Sequence, residues 1–144
     1  MTGIKATTSV LALNKALKCW GVNELGLVTP YRDDVQRKIV ENYMEIGIKI
    51  REGMERHLRV DRNTDIANIG EDVLDGLVGE VVSEEVDAVT TFCTNLIAAQ
   101  RVAFWEDEYG VPVFDTVTTV IWGMLKMCDV DAKKLEGWGM IFQR

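Results

Sequence analysis

The sequence predicts an α/β domain: a parallel sheet of four strands flanked by helices. Three observations carry this. Short β-rich runs alternate with stretches of helical period along the whole chain. The helical stretches close at glycines, and the first strand-like run stops at Pro30. The chain has 144 residues, 47% of them hydrophobic and 8% aromatic, which is the size and composition of one domain with a core to bury.

The elements follow in order. Thr8 to Trp20 reads as a helix, because Val10, Leu13, Leu17 and Trp20 recur at spacings of three and four before Gly21. Glu24 to Thr29 is the first strand. Asp33 and Asp34 suit the first turn of the next helix, which places Val35, Ile39, Tyr43 and Ile46 on one face and ends at Gly47. Ile48 to Ile50 is a short second strand. Arg51 to Asn63 has no clear period and reads as a loop or irregular crossover. Asp65 to Val82 is mainly helical despite three glycines. Asp87 to Phe92 is the clearest strand and runs straight into Cys93. Leu96 to Tyr109 is a helix ended by Gly110, Val111 to Phe114 a fourth strand, and Thr116 to Cys128 a last helix. The tail from Leu135 to Phe142 has the composition of a final strand. No linker, repeat or low-complexity segment divides the chain.

Charge and cysteine usage exclude several classes. Sixteen Lys and Arg against twenty-three Asp and Glu give a net charge of −7, so no basic field draws in a nucleic acid or an anionic membrane. The three cysteines, at 19, 93 and 128, are odd in number and far apart. They form neither a disulfide framework nor, with a single histidine, a metal motif. The first residues lack a signal pattern and no apolar run reaches membrane-spanning length, so the expected setting is a reduced cytoplasm.

In open α/β sheets ligands bind at the carboxyl ends of strands. That selects Thr29-Pro30-Tyr31, Cys93-Thr94-Asn95 and Asp115-Thr116. Cys93 follows a strand and is expected to lead a helix whose positive end favours a thiolate and an anion. Such a thiolate serves as nucleophile or as proton donor and acceptor. Thr94 and Asn95 add hydrogen-bonding groups beside it. A buried free cysteine is also common as a small hydrophobe, so the residues alone leave both roles open. Cys19 and Cys128 read as packing residues, His57 as a solvated surface histidine, and Tyr31 as a substrate contact or a cover for the strand end.

Several segments occur in a familiar order: Gly3-Ile4-Lys5-Ala6-Thr7-Thr8-Ser9, Leu27-Val28-Thr29-Pro30-Tyr31, Asn63-Thr64-Asp65-Ile66-Ala67, Cys93-Thr94-Asn95-Leu96 and Trp138-Gly139-Met140-Ile141-Phe142. Together they resemble the maleate cis–trans isomerase and arylmalonate decarboxylase branch of the aspartate/glutamate racemase superfamily, with Lys5 where the family's first segment has proline. The resemblance implies one lobe of a two-lobe fold, in which an active site lies in the cleft between similar halves. It implies that residues 1–144 form a single domain like the C-terminal lobe, with 135–144 as the tail that joins the other lobe. By the same resemblance Cys93 is the catalytic thiol of this lobe. Tyr31 and Asn63 contact the substrate carboxylate, Thr94 binds the same group through its backbone, and Asn95 belongs to the substrate site.

The implied activity is a cofactor-independent isomerase or racemase acting on a small carboxylate such as maleate or an amino acid. No metal, nucleotide or pyridoxal cofactor is expected. The alternatives are an arylmalonate decarboxylase-like lyase and a truncated module that keeps the fold without the reaction. Cys-Thr-Asn-Leu is closer to the isomerase form. The thiol that faces Cys93 in the isomerases has no counterpart among the 144 residues, so the expected partners are a small carboxylate and either a second copy of the chain or a separately encoded first lobe. No nucleic-acid or membrane partner is expected.

Overall fold

The computed structural model describes residues 3–144. Its centre is a parallel four-stranded sheet in the order β2-β1-β3-β4, formed by β1 (Leu25–Thr29), β2 (Glu55–His57), β3 (Ala88–Thr91) and β4 (Val113–Asp115). The two central strands, β1 and β3, are buried along their whole length, as parallel strands covered on both faces must be. Leu27 pairs with Thr90 and Val28 with Thr91. Gly26 in β1 leaves room for the sheet's neighbour: a Cβ there would overlap the Val81 side chain.

Helices α1 (Ser9–Trp20), α2 (Asp33–Glu45), α3 (Asn63–Ile66), α4 (Glu71–Val82), α5 (Val102–Tyr109) and α6 (Thr116–Met127) flank the sheet. Thr8 caps α1 by accepting the Leu11 N–H at 3.2 Å, and Gly21 ends it in the left-handed conformation at φ 69°. α1 packs on α6 where Gly123 meets Ala12, whose Cβ lies 2.7 Å from the position a Gly123 Cβ would take. α4 lies against β1, β2 and β3, and α5 against β4 and α4. Leu25, Leu27, Val78, Val89, Trp105 and Phe114, all fully buried, form the centre of the core.

Several expectations need correction. The second strand is Glu55–His57, inside the segment read as a crossover; Ile48–Ile50 contributes only a single bridge, Glu24 to Lys49. As an edge strand β2 is only partly buried, so it carries Glu-Arg-His rather than an apolar run. The helix expected over 65–82 breaks at Gly70, which is extended (ψ 156°) and starts α4 anew. The tail forms a 3-10 turn, Met140–Gln143, in place of a strand, and it packs on this domain with Ile141 and Phe142 buried. Cys19 and Cys128 are exposed rather than packed.

α2 turns a different face inward from the one its apolar residues suggest. Val35 and Ile46 are exposed, while Gln36 and Tyr43 are buried with Ile39 and Val40 packed beside them. The buried Gln36 amide is satisfied: Thr29 Oγ1 donates to its Oε1 at 2.6 Å, and its Nε2 donates to Glu55.

Glu106 fastens the tail to the sheet. Its carboxylate accepts the Val113 N–H at 2.9 Å and the Met140 N–H at 2.7 Å. Burial raises its pKa against the opposing effect of those two bonds. A carboxyl that binds its proton more tightly when folded adds stability that is present below its unfolded pKa, near 4.5, and lost as pH rises through the folded value. Denaturant unfolding of the wild type and Glu106→Gln, compared from neutral pH down to that range, should show the wild type gaining relative to the variant as pH falls. A constant difference would contradict the raised pKa.

Candidate active site

The connection after β1 runs to β2 on one side of the sheet, and the connection after β3 runs to β4 on the other. The carboxyl ends of β1 and β3 therefore form a switch point, where open α/β sheets leave a crevice. Tyr31 follows β1 there and Cys93 follows β3. The chain turns sharply at each: the Tyr31 N–H donates to Thr29 Oγ1 at 3.2 Å, and the Cys93 N–H to the Thr91 carbonyl at 3.1 Å.

A cavity of about 200 Å³ opens at this point. Val10, Leu13 and Phe92 form its apolar part; hydroxyls of Ser9, Tyr31, Thr94 and Thr116 and the thiol of Cys93 supply its polar part. Cys93 is 6% exposed. The Tyr31 phenol and the Cys93 thiol both line this cavity and lie close enough to interact. Burial, and then the neighbouring Cys93, push the Tyr31 pKa far above the ordinary phenol value, so the phenol keeps its proton.

The expected helix behind Cys93 is absent. Residues 94–98 form turns, a 3-10 turn spans Ala99–Arg101, and α5 begins only at Val102. Helix α1 takes that place, with Ser9 and Val10 of its first turn lining the cavity. Thr8 Oγ1 takes the Leu11 N–H and the Thr8 carbonyl takes that of Ala12, while the Ser9 and Val10 N–H groups precede the first possible intrahelical acceptor. They and the helix dipole favour an anion at this end. The start of α6 is already filled: Asp115, fully buried, accepts the Val117 and Thr118 N–H groups at 2.8 and 3.1 Å and the Thr91 hydroxyl at 3.0 Å. Burial raises the Asp115 pKa against these bonds.

Of the residues selected in the sequence, the structure brings Tyr31, Cys93 and Thr94 together around the cavity. Asn63 starts α3, is exposed and lies outside the cavity lining, as does the partly buried Asn95. Ser9 was missed as a site residue, and Thr116 was selected only as a strand-end position and given no role. Ser9 stands beside the Thr8 cap and Thr116 directly after a strand, so both carried a positional signal. Among the described residues no group of three His, Cys, Asp or Glu is placed to hold a metal ion. No helix among them is long and apolar enough to cross a membrane.

The family model for arylmalonate decarboxylase matches residues 1–142. The chain belongs to this family. It is 26% identical over 152 residues to the arylmalonate decarboxylase of Bordetella bronchiseptica, covering 98% of this chain and 59% of that protein. It is 28% identical over 124 residues to a maleate isomerase of Nocardia farcinica (strain IFM 10152), covering 85% of this chain and 49% of that protein. The chain thus spans roughly half to three-fifths of the relatives it matches. A solved structure of the Nocardia farcinica maleate cis–trans isomerase, a cysteine-to-serine mutant holding a covalently bound succinylcysteine intermediate, superposes with a TM-score of 0.86 at 25% identity. It covers 93% of this chain and 54% of that one. A liganded arylmalonate decarboxylase mutant gives a TM-score of 0.89 at 24% identity, over 98% of this chain and 60% of that one, and shares the fold.

Proposed function

We propose that this member of the arylmalonate decarboxylase family supplies one side of a cofactor-independent active site that acts on a small carboxylate through the Cys93 thiol. The observation that carries this is Tyr31 and Cys93 set side by side in the cavity at the switch point. A proton alpha to a carboxylate is weakly acidic, so its transfer needs a positioned base or acid and donors for the enediolate charge. Cys93 is the proton-transferring group on its face of the substrate. Tyr31, the Ser9 hydroxyl, the α1 N-terminus and the Thr94 backbone are the donors available for the carboxylate and the developing charge, while the Thr116 hydroxyl is engaged with the Thr91 carbonyl. Asn63 and Asn95 stand as rim contacts that close on a bound substrate.

The preferred reaction is maleate isomerisation. A thiol adds to the double bond, the resulting single bond rotates, and elimination of the same thiol gives fumarate, with Cys93 moving the proton. The Cys-Thr-Asn-Leu sequence and the maleate isomerase relatives support it. The second reading is arylmalonate decarboxylation, in which carbon dioxide leaves and Cys93 delivers a proton to the enediolate; the family match over residues 1–142 favours it. Groups from outside these 144 residues complete the site, because the relatives are substantially longer and Ile121, Met124 and Trp138 stay exposed here.

The test is turnover of maleate, followed by loss of its absorbance, and of phenylmalonate, followed by carbon dioxide release, across a wide range of protein concentration. Light scattering on the same samples reports assembly. Activity that rises with self-association is expected. No turnover of either acid at any concentration, or a monodisperse monomer throughout, would contradict the corresponding part.

A further inference from the structure

A chain of polar contacts runs from the backbone of Tyr31 to the outer edge of the sheet, and no part of it enters the cavity. The Tyr31 N–H donates to Thr29 Oγ1 at 3.2 Å, and that hydroxyl donates to Gln36 Oε1 at 2.6 Å. Gln36 Nε2 donates to Glu55 Oε2, which also faces His57 Nδ1 at 3.0 Å. The other ring nitrogen, His57 Nε2, meets Asp33 Oδ1 at 2.7 Å, and Arg59 Nε donates to the same oxygen at 2.7 Å. The return path is backbone: the Arg59 N–H donates to the Tyr31 carbonyl at 3.2 Å, and the Val60 N–H to the Pro30 carbonyl at 2.7 Å. The network is thus a closed circuit that holds both the N–H and the carbonyl of Tyr31.

Its chemistry is directional. The His57 ring lies between Glu55 on one side and Asp33 on the other, so in either tautomer a ring N–H donates to a carboxylate. The His57 side chain is 11% exposed, far from the solvated surface histidine that the charged local sequence suggests. Gln36, 2% exposed, is the one polar residue that α2 buries, and both of its amide atoms are used. The buried Thr29–Gln36 end of the circuit fixes one arrangement of the atoms it holds, while the Asp33 and Arg59 end is exposed.

We infer that His57 is a positioning residue: through Glu55, Gln36 and Thr29 on one side and Asp33 and Arg59 on the other, it holds Tyr31 so that the phenol meets the Cys93 thiol. This rests on the reading of Tyr31 and Cys93 as the working pair. His57 touches neither sulfur nor substrate, and its effect passes entirely through Tyr31.

Alkylation of Cys93 by iodoacetamide tests this, in a background with the exposed Cys19 and Cys128 changed to serine. A phenol hydrogen bond to sulfur stabilises negative charge there, so Tyr31→Phe should slow alkylation at neutral pH by about fivefold. His57→Ala should slow it by a similar factor when Tyr31 is present and leave it unchanged when Tyr31 is already phenylalanine, the mark of a shared route. Alkylation unaffected by His57→Ala in a folded protein would overturn the inference. So would a slowing that persists in full beside Tyr31→Phe, because that is what general loosening of the fold produces. If thermal unfolding shows that His57→Ala does not fold, Glu55→Gln breaks the same circuit one link further in and is read against the same two outcomes. Alkylation needs no turnover, so failure of both substrates would defeat the proposed reaction and leave this measurement intact.

Discussion

Cys93→Ala should lower the turnover of maleate or phenylmalonate by about 10²- to 10⁴-fold, the range that a positioned proton-transfer group contributes. The wild-type rate constant and that of the variant, measured at saturating substrate, give the comparison directly. Stability should change little. The side chain is small, it follows a strand rather than filling the sheet centre, and it borders an open cavity beside Tyr31. A loss of activity accompanied by an unchanged melting temperature assigns the effect to chemistry. An alanine variant with full activity would remove Cys93 from the mechanism and leave the cavity as a binding site only. Tyr31→Phe is the informative companion, because loss of one charge-stabilising donor costs about 10²- to 10³-fold in related chemistry.

Trp105→Ala should be the most damaging single change to the fold. The indole is fully buried in α5, and its Nε1–H donates to Asp75 Oδ1 at 2.7 Å. Asp75 on α4 also accepts from Arg101 Nε at 3.1 Å and from Nη2 at 2.6 Å, so one carboxylate joins three elements. Truncating a buried tryptophan to alanine costs about 3–5 kcal/mol from lost burial and the cavity left behind. A domain of ordinary stability has about 5–15 kcal/mol in all, so much of the chain should be unfolded near physiological temperature. Urea unfolding provides the number. Trp105→Phe separates the two contributions: it keeps most of the apolar volume, loses the Asp75 bond, and should cost about 1–2 kcal/mol. A loss below about 1 kcal/mol for the alanine variant would mean that α4 and α5 are held by other contacts.

The central part of the fold was legible because burial imposes a pattern on sequence. β1 and β3 are covered on both faces, so Leu25-Gly26-Leu27-Val28 and Ala88-Val89-Thr90-Thr91 read as continuous strands. α1 announced itself by its spacing, by Thr8 before it and by Gly21 after it. The edge was not legible. β2 is three residues of Glu-Arg-His, and its reason for being a strand is the register with Leu27, Val28 and Thr29, which no local window contains. The same holds for α2, where the inward residue is Gln36. Its partners, Thr29 and Glu55, lie seven and nineteen positions away. The site divides in the same manner. Tyr31 and Cys93 sit at strand ends and were found by that rule. The anion-favouring helix end belongs to α1, which is remote in sequence from Cys93 and reaches it only through the packing of α1 on α6.

The adjacency of β1 and β3 has a consequence for how such a site tolerates change. Neighbouring strands are held about 4.8 Å apart by backbone hydrogen bonds that are indifferent to side chains. The spacing between the residues that leave those strands is therefore inherited from the sheet and cannot drift as the rim is rewritten. Substitutions at Ser9, Val10 and Leu13 of α1 alter what the cavity admits without moving the two strand ends. Reagent and recogniser are mechanically decoupled. One frame can thus carry cavities of different shape, and a library confined to Ser9, Val10 and Leu13 is the economical place to look for altered binding.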